Sequence, residues 1–218
     1  MPCGPGQGKP LGMGEGTLYA RRVKRWLDIC LASVLLPAAL PLLAAGAALV
    51  WLGLGRPVLF RQRRAGLRGQ AWDMTKLRTM RDGPMLVGGA VDRARTPPLG
   101  RILRRAKIDE LFQLFDVLAG RLSFVGPRAL PPEVVVRMAP EGDPRLALRH
   151  AVRPGLTGWA QVCGGTLLTD PEKLALDCAY VRHVSLRHDL VILWRTVGVL
   201  LRGEARDEAA LRRAQAET

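Results

Sequence analysis

Cysteine is scarce in this 218-residue chain and carries no pattern: Cys3, Cys30, Cys163 and Cys178 make no CxxC pair and no zinc-ligand spacing. That argues against a disulfide framework or a structural zinc site, and favours a reducing, cytosol-facing setting. Histidine occurs three times, with His183 and His188 five apart and no HExxH pair, so zinc-protease chemistry is excluded. No GxSxG elbow exists for a serine nucleophile. The Gly- and Pro-rich opening resembles a phosphate loop only loosely, because Cys3 stands where the first Gly belongs and Pro10 follows Gly8-Lys9. No internal repeat is present. Lysine is confined to Lys9, Lys24, Lys76, Lys107 and Lys173.

Arginine is what the chain has instead. Lys plus Arg is 33 against 19 Asp plus Glu, a formal charge of +14. Such an excess calls for anionic partners: nucleic acid, lipid headgroups or phosphorylated small molecules. Arginine suits fixed, two-pronged phosphate contacts. No nucleic-acid-binding motif or aromatic-basic module accompanies the charge, so a nucleic-acid partner is not expected.

The second feature is an apolar block. From Ile29 to Gly55 there is no charged residue. As a helix this stretch reaches roughly 40 Å, more than the ~30 Å hydrocarbon core of a bilayer. It is too long for a signal peptide and lacks a cleavage site. Arg21, Arg22, Lys24 and Arg25 precede it, and Arg56, Arg61, Arg63 and Arg64 follow it. Retention of positive charge on the cytoplasmic side holds both ends on the same face, which a bent, re-entrant helix satisfies and a straight span does not. Pro37 and Pro41 offer the bend. A kinked ordinary span is the alternative, since proline is tolerated there. Asp28 is expected to cap the helix or to pair with Arg25.

The rest reads as one domain. Val58–Arg63 and Ala71–Arg78 read as short strands with Gly66 and Gly69 in the turn between them. Residues 81–98 read as a surface loop, and Leu99–Ala106 as a short basic helix. Asp109–Leu118 reads as a helix with Leu111, Leu114, Phe115 and Leu118 in a stripe. Gly126-Pro127-Arg128 and Arg153-Pro154-Gly155 read as tight turns, and Pro131–Met138 as a helix. Thr169-Asp170-Pro171-Glu172 opens another helix, running to about His183, with a possible capping box. The last helix, Asp189–Leu201, carries Leu190, Leu193, Trp194, Val197 and Leu201 on one side, a stripe able to rest on a membrane surface. The expected organisation is therefore a disordered leader (1–20), a re-entrant membrane helix (21–56), a compact catalytic domain (57–203) and a flexible tail (204–218). The fold class is α+β, mostly helical, with a small β element and amphipathic interfacial helices.

Asp109-Glu110 is the leading chemical candidate. Adjacent carboxylates at a helix start feel the positive end of the dipole and stay ionised. One can attack phosphorus while the other holds a divalent metal, for which magnesium is the natural choice. The cationic set around them comprises Lys76, Arg78, Arg104, Arg128, Arg149 and Arg153, donors of the kind a pyrophosphate needs during phosphoryl transfer. Singly, an acidic first turn and surface arginines are equally ordinary structural features.

Taken in order, KRWLD (24–28), GRPVLFRQRRAG (55–66), KLRTM (76–80), DELFQLFDVLAG (109–120), LSFVGPR (122–128) and RPGLTGWAQV (153–162) resemble the bacterial sugar transferases. These are the monotopic polyprenyl-phosphate phosphoglycosyltransferases, here in their minimal form. The resemblance covers about Val23 to Arg202. It implies a re-entrant membrane helix at the cytoplasmic face of the bacterial inner membrane. It also implies a two-step reaction, in which Asp109 takes a phosphosugar from a UDP-sugar with release of UMP and then passes it to polyprenyl (undecaprenyl) phosphate. That would be the first membrane step of exopolysaccharide, O-antigen or glycoconjugate synthesis, ahead of downstream glycosyltransferases. By the same resemblance Glu110 is the magnesium-associated acid, and Arg104 and Arg128 are phosphate-binding arginines. The departures are Phe112 for a Pro, Lys107 for a Ser or Thr, Ala129 for the second Pro of Pro-Arg-Pro, Asp116 for an Asn, and Gly164-Gly165-Thr166 for Gly-Arg-Asn. The lost arginine at Gly165 bears on nucleotide or sugar contacts and leaves the carboxylate pair intact. The competing reading is a catalytically idle membrane scaffold of a polysaccharide assembly complex.

Overall fold

A computed structural model describes residues 19–81 and 95–217. Nearly all of the expected leader (1–18) and most of the expected surface loop (82–94) lie outside the described residues. Tyr19–Val23 is a π-helical turn that runs directly into helix α1, Lys24–Leu54. The uncharged run thus becomes a single helix, about 46 Å long at the standard rise, and its assignment continues through Pro37 and Pro41. It is the one described helix long and apolar enough to cross a membrane by length and composition.

One stripe of α1, Asp28, Ala32, Ala39, Leu43, Gly46 and Val50, is buried. The other sides present Trp26, Val34, Trp51 and Leu52 in the open, 55–77% exposed. A helix apolar all round and only striped with contacts suggests membrane association. Both of its ends are fastened to the same domain. At the start, Arg25 donates to the carbonyls of Val117 (2.5 Å) and Leu118 (2.8 Å). Asp28 accepts the backbone N–H of Phe124 at 3.0 Å, in place of the cap or Arg25 pairing expected of it. At the far end Arg78 donates to the carbonyls of Leu54 (2.7 Å) and Gly55 (3.0 Å), satisfying orphan acceptors of the last turn. Gly46 lets the helix approach closely: a Cβ there would meet Ile108 Cγ2 and Leu77 Cδ1 at 2.9 Å.

The small β element has two parts. Strands β1 (Leu59–Ala65) and β2 (Ala71–Leu77) form the expected antiparallel hairpin, with Phe60 opposite Lys76. The second part was invisible in sequence. Ser123–Val125 (β3) and Gly155–Thr157 (β4) pair in parallel, which lays the two Gly-Pro turns against each other. Only bare glycines permit this, because a Cβ on Gly155 would sit 2.1 Å from Gly126 N.

Between the sheets run α2 (Pro98–Arg105) and α3 (Gln113–Leu118); then follow α4 (Pro132–Met138), α5 (Pro144–Arg149) and α6 (Trp159–Val162). Helix α7 (Asp170–Arg182) is the core helix, burying Leu174, Leu176, Cys178 and Tyr180. It begins at the expected capping box, in which Glu172 accepts the N–H of Thr169 at 2.8 Å. Helix α8 (Leu186–Arg202) starts earlier than expected because Ser185 caps it, accepting the N–H of His188. Of its expected apolar stripe, Leu190, Trp194, Val197 and Leu201 face outward, 50–80% exposed, while Leu193 packs against the core and Asp189 and Ile192 point in. Near its start Asp189 binds Lys24, Tyr19 and Tyr180, so α8 is keyed to the start of α1.

The tail reading is corrected. Glu208–Ala216 forms helix α9, capped by Asp207, with Leu211 only 3% exposed against the core that α7 builds. Arg195–Asp207 and Arg206–Glu172 ion pairs fasten its approach. Its Ala-rich sequence is intrinsically helical, and burial of Ala210, Leu211 and Ala214 holds it down.

Candidate active site

Asp109 and Glu110 stand in a single 3-10 turn, Ile108–Glu110, just ahead of α3 rather than inside its first turn. Lys107 sets that turn up by adopting a left-handed conformation (φ 57°), uncommon for a side-chain-bearing residue. The pair is divided by its surroundings. Asp109 is 6% exposed, and its Oδ1 has no hydrogen-bond partner among the described residues. Glu110 is more open and accepts from Lys76 Nζ at 3.2 Å.

The electrostatics differ accordingly. Burial, and next the neighbouring Glu110 charge, push the Asp109 carboxyl above its ordinary range, against the pull of Lys76, Arg104 and Lys107. For Asp109 desolvation works against the charged form, a cost that the helix-start argument leaves out. For Glu110 burial also works upward, but Lys76, Lys107 and Arg128 outweigh it and hold the carboxyl low. Lys76 is itself lowered, by burial first and then by Arg64 and Arg128, with Glu110 opposing. Two adjacent carboxylates with opposite shifts are the pattern of an acid pair with divided roles.

Glu110, Lys107 and Arg128 border a cavity of about 590 Å³, while Asp109 sits behind this wall. Phe124, Leu156, Leu193 and Leu200 give the cavity an apolar side that reaches α8. Thr166, Asp170, Lys173, Asp177 and Glu204 also line it.

Of the cations anticipated from sequence, Lys76 contacts Glu110, and Arg104 and Arg128 act on the pair through their charge. Arg78 is placed elsewhere, closing the end of α1. Arg153 donates to Gly120 O at 2.8 Å, beyond the end of α3. Both brace the frame that carries the pair. One supporting neighbour, Arg64, is not among the cations anticipated from sequence, and a second, Arg149, has another role than the one anticipated. Arg64, lowered to about 10 by burial and next by Arg128, donates to Ala129 O at 2.9 Å and so steadies the turn bearing Arg128. Arg149, 1% exposed, is bound at 2.9 Å to the equally buried Asp177 and donates to Arg128 O. Arg149 had been grouped with the substrate cations, but its burial makes it the support of Arg128. Partners 28 residues apart leave no local sequence signal.

A buried carboxylate thus stands beside a lysine-held one, next to a cavity lined by cations and by an apolar side that reaches α8. The comparisons with known proteins give the family. The bacterial sugar transferase family matches residues 19–203. The UDP-glucose:undecaprenyl-phosphate glucose-1-phosphate transferase of Caulobacter vibrioides is 42% identical over 188 residues, covering 82% of this chain and 69% of that protein. The uncharacterized sugar transferase EpsL of Bacillus subtilis is 39% identical, covering 84% of this chain and 89% of its own length. The like-named glucose-1-phosphate transferase of Escherichia coli is 35% identical, and the match spans 40% of that longer protein. The chain belongs to the bacterial sugar transferase family.

Proposed function

We propose that the protein is a phosphoglycosyl transferase that moves a sugar 1-phosphate from a UDP-sugar to undecaprenyl phosphate, releasing UMP. The observation that carries the reading is the buried Asp109 with an unpartnered Oδ1, next to a Glu110 held ionised by Lys76. In the first half-reaction an Asp109 oxygen bonds to the sugar-bearing phosphorus and the bond from that phosphorus to the bridging oxygen of UMP breaks. UMP departs with the electron pair. In the second, a phosphate oxygen of the polyprenyl carrier bonds to the same phosphorus and the Asp109 carboxylate is expelled. The product is a diphosphate-linked sugar, a substrate for downstream glycosyltransferases. Lys107 and Arg128, at the cavity edge, and Arg104 offset the charge that builds on the transferred group.

The residues fit magnesium. Mg²⁺ takes one or two carboxylates and leaves its remaining positions to water and substrate phosphates. Glu110, ionised and facing the cavity, is the natural ligand, with the unpartnered Asp109 Oδ1 beside it. Bound there, the ion would neutralise phosphate oxygens of the donor.

Helices α1 and α8 support a placement at the membrane. Both ends of α1 are tied to one domain, so a re-entrant path that returns to the cytoplasmic face of the inner membrane accommodates them. The exposed stripe of α8 lies along that surface. The direct test incubates the protein with UDP-sugars, magnesium and undecaprenyl phosphate. UMP release that disappears in Asp109→Asn is expected, and release that persists in that variant refutes the role of Asp109. Cysteine labels placed before Lys24 and after Gly55 should both react from the cytoplasmic side, and protection of one of them refutes re-entry.

A further inference from the structure

The cavity has a further polar lining that the reaction does not use. There Gly165 adopts φ +54°, and a Cβ on it would lie 2.4 Å from Glu204 Oε1. The bare glycine leaves the room that Glu204 fills. Thr166 donates to Glu204 Oε2 from its backbone N–H (2.9 Å) and from its hydroxyl. Glu204 is held in this lining by the ordered C-terminal segment: Asp207 N–H donates to Cys163 O at 3.0 Å, Arg206 reaches Leu167 O at 3.2 Å, and α9 packs behind them.

A second, independent observation concerns Asp177. It is 2% exposed, borders the same cavity, and is bound to Arg149 through Oδ2, while its Oδ1 has no partner among the described residues. A buried carboxylate oxygen left without a donor calls for one from a ligand. The lining therefore carries two kinds of group. Lys107 and Arg128 are cations suited to phosphate. Glu204, and Asp177 beside the Arg128 turn through Arg149, are acceptors suited to hydroxyl or N–H donors.

Resting on the transferase reading, we infer that Glu204 is the donor-selecting residue of the site, accepting hydrogen bonds from hydroxyls of the transferred sugar. Glu204 is then a specificity-determining residue contributed by the C-terminal segment.

The test is equilibrium titration of full-length protein in nanodiscs with magnesium. UDP-glucose, UDP-galactose, UDP-N-acetylglucosamine and UMP serve as probes, and Asp109→Asn prevents turnover. Glu204→Ala in that background should weaken UDP-sugar binding by about 10-fold or more, the usual cost of a lost hydrogen bond to a charged group. Glu204→Gln, which keeps one acceptor, should lose less. UMP should be unaffected and the loss should vary among the three sugars; a parallel loss for UMP, which would put Glu204 on the ribose, overturns its selecting role. Thermal unfolding of each variant verifies that α9 stays docked. Unchanged affinities in a folded Glu204→Ala protein, or no binding of any probe to the parent, overturn the inference. Glu204-dependent binding in a protein whose native Asp109 form releases no UMP would sustain it while refuting the transfer reaction.

Discussion

Lys76→Met tests the division of labour inside the carboxylate pair. Lys76 Nζ lies 3.2 Å from Glu110 Oε1. At an effective dielectric of about 20 the Coulomb attraction at that distance is about 5 kcal/mol, an upper bound. The Glu110 side chain is 32% exposed, so water screens part of it. A realised loss of about 1.5–3 kcal/mol, typical of a hydrogen bond between charged groups, predicts a fall in kcat/KM of about 10–100-fold. The pH dependence adds a sign. Lys76 holds both carboxyls down, Asp109 against burial and against Glu110. A nucleophilic Asp109 must be ionised, so activity is lost as pH falls through its folded pKa. Removing Lys76 raises that pKa and moves the acid limb of the kcat/KM profile to higher pH. Lys76→Arg, retaining the charge, should move it less. UMP release measured from pH 5 to 9 reads both effects. An unchanged acid limb in Lys76→Met would refute the coupling, whatever happened to the rate.

Other consequences follow from the same geometry. Gly46→Leu drives a side chain into Ile108 and Leu77, both 2.9 Å from where even a Cβ would stand, and displaces the turn carrying Asp109; kcat should fall while membrane association in flotation assays is retained. Arg149→Leu leaves Asp177 a buried, unpaired charge and should cost about 3–5 kcal/mol in thermal or denaturant unfolding, whereas the double change with Asp177→Leu should recover much of it. Asp109→Asn should raise Tm by about 2–4 °C for each kcal/mol relieved. Its folded pKa lies above the unfolded one, so its favourable contribution is complete only below the unfolded value and is lost as pH rises through the folded one. The Tm gain should therefore shrink in acid.

What the sequence disclosed is what local chemistry encodes. Thr169 and Glu172 announce a helix start by themselves, and Gly66 and Gly69 mark the hairpin turn. The uncharged run from Ile29 to Gly55 states its own length. Asp109-Glu110 was legible as a pair, but its burial was not, because that depends on α1 arriving at Gly46 from 60 residues upstream. The pairing of β3 with β4 escaped for the same reason: two three-residue strands have no periodicity, and their register is fixed by glycines meeting across the fold. Arg78, Arg149 and Arg153 illustrate the limit of reading cations one by one. An arginine that closes a helix end, supports another arginine's turn or clasps a carbonyl looks like a phosphate ligand until its partner is seen. The C-terminal helix could have been read, since Asp207 followed by EAALRRAQA combines a cap with strong helix formers. Its charge disguised the small apolar face of Ala210, Leu211 and Ala214.

The most direct test withholds the lipid acceptor. With a UDP-sugar and magnesium alone, one equivalent of UMP should appear per protein. The peptide containing Asp109 should gain the mass of a sugar phosphate, in a linkage that hydroxylamine cleaves and undecaprenyl phosphate discharges. Full turnover with no adduct at that peptide under any quench, or an adduct on a different residue, would contradict the account.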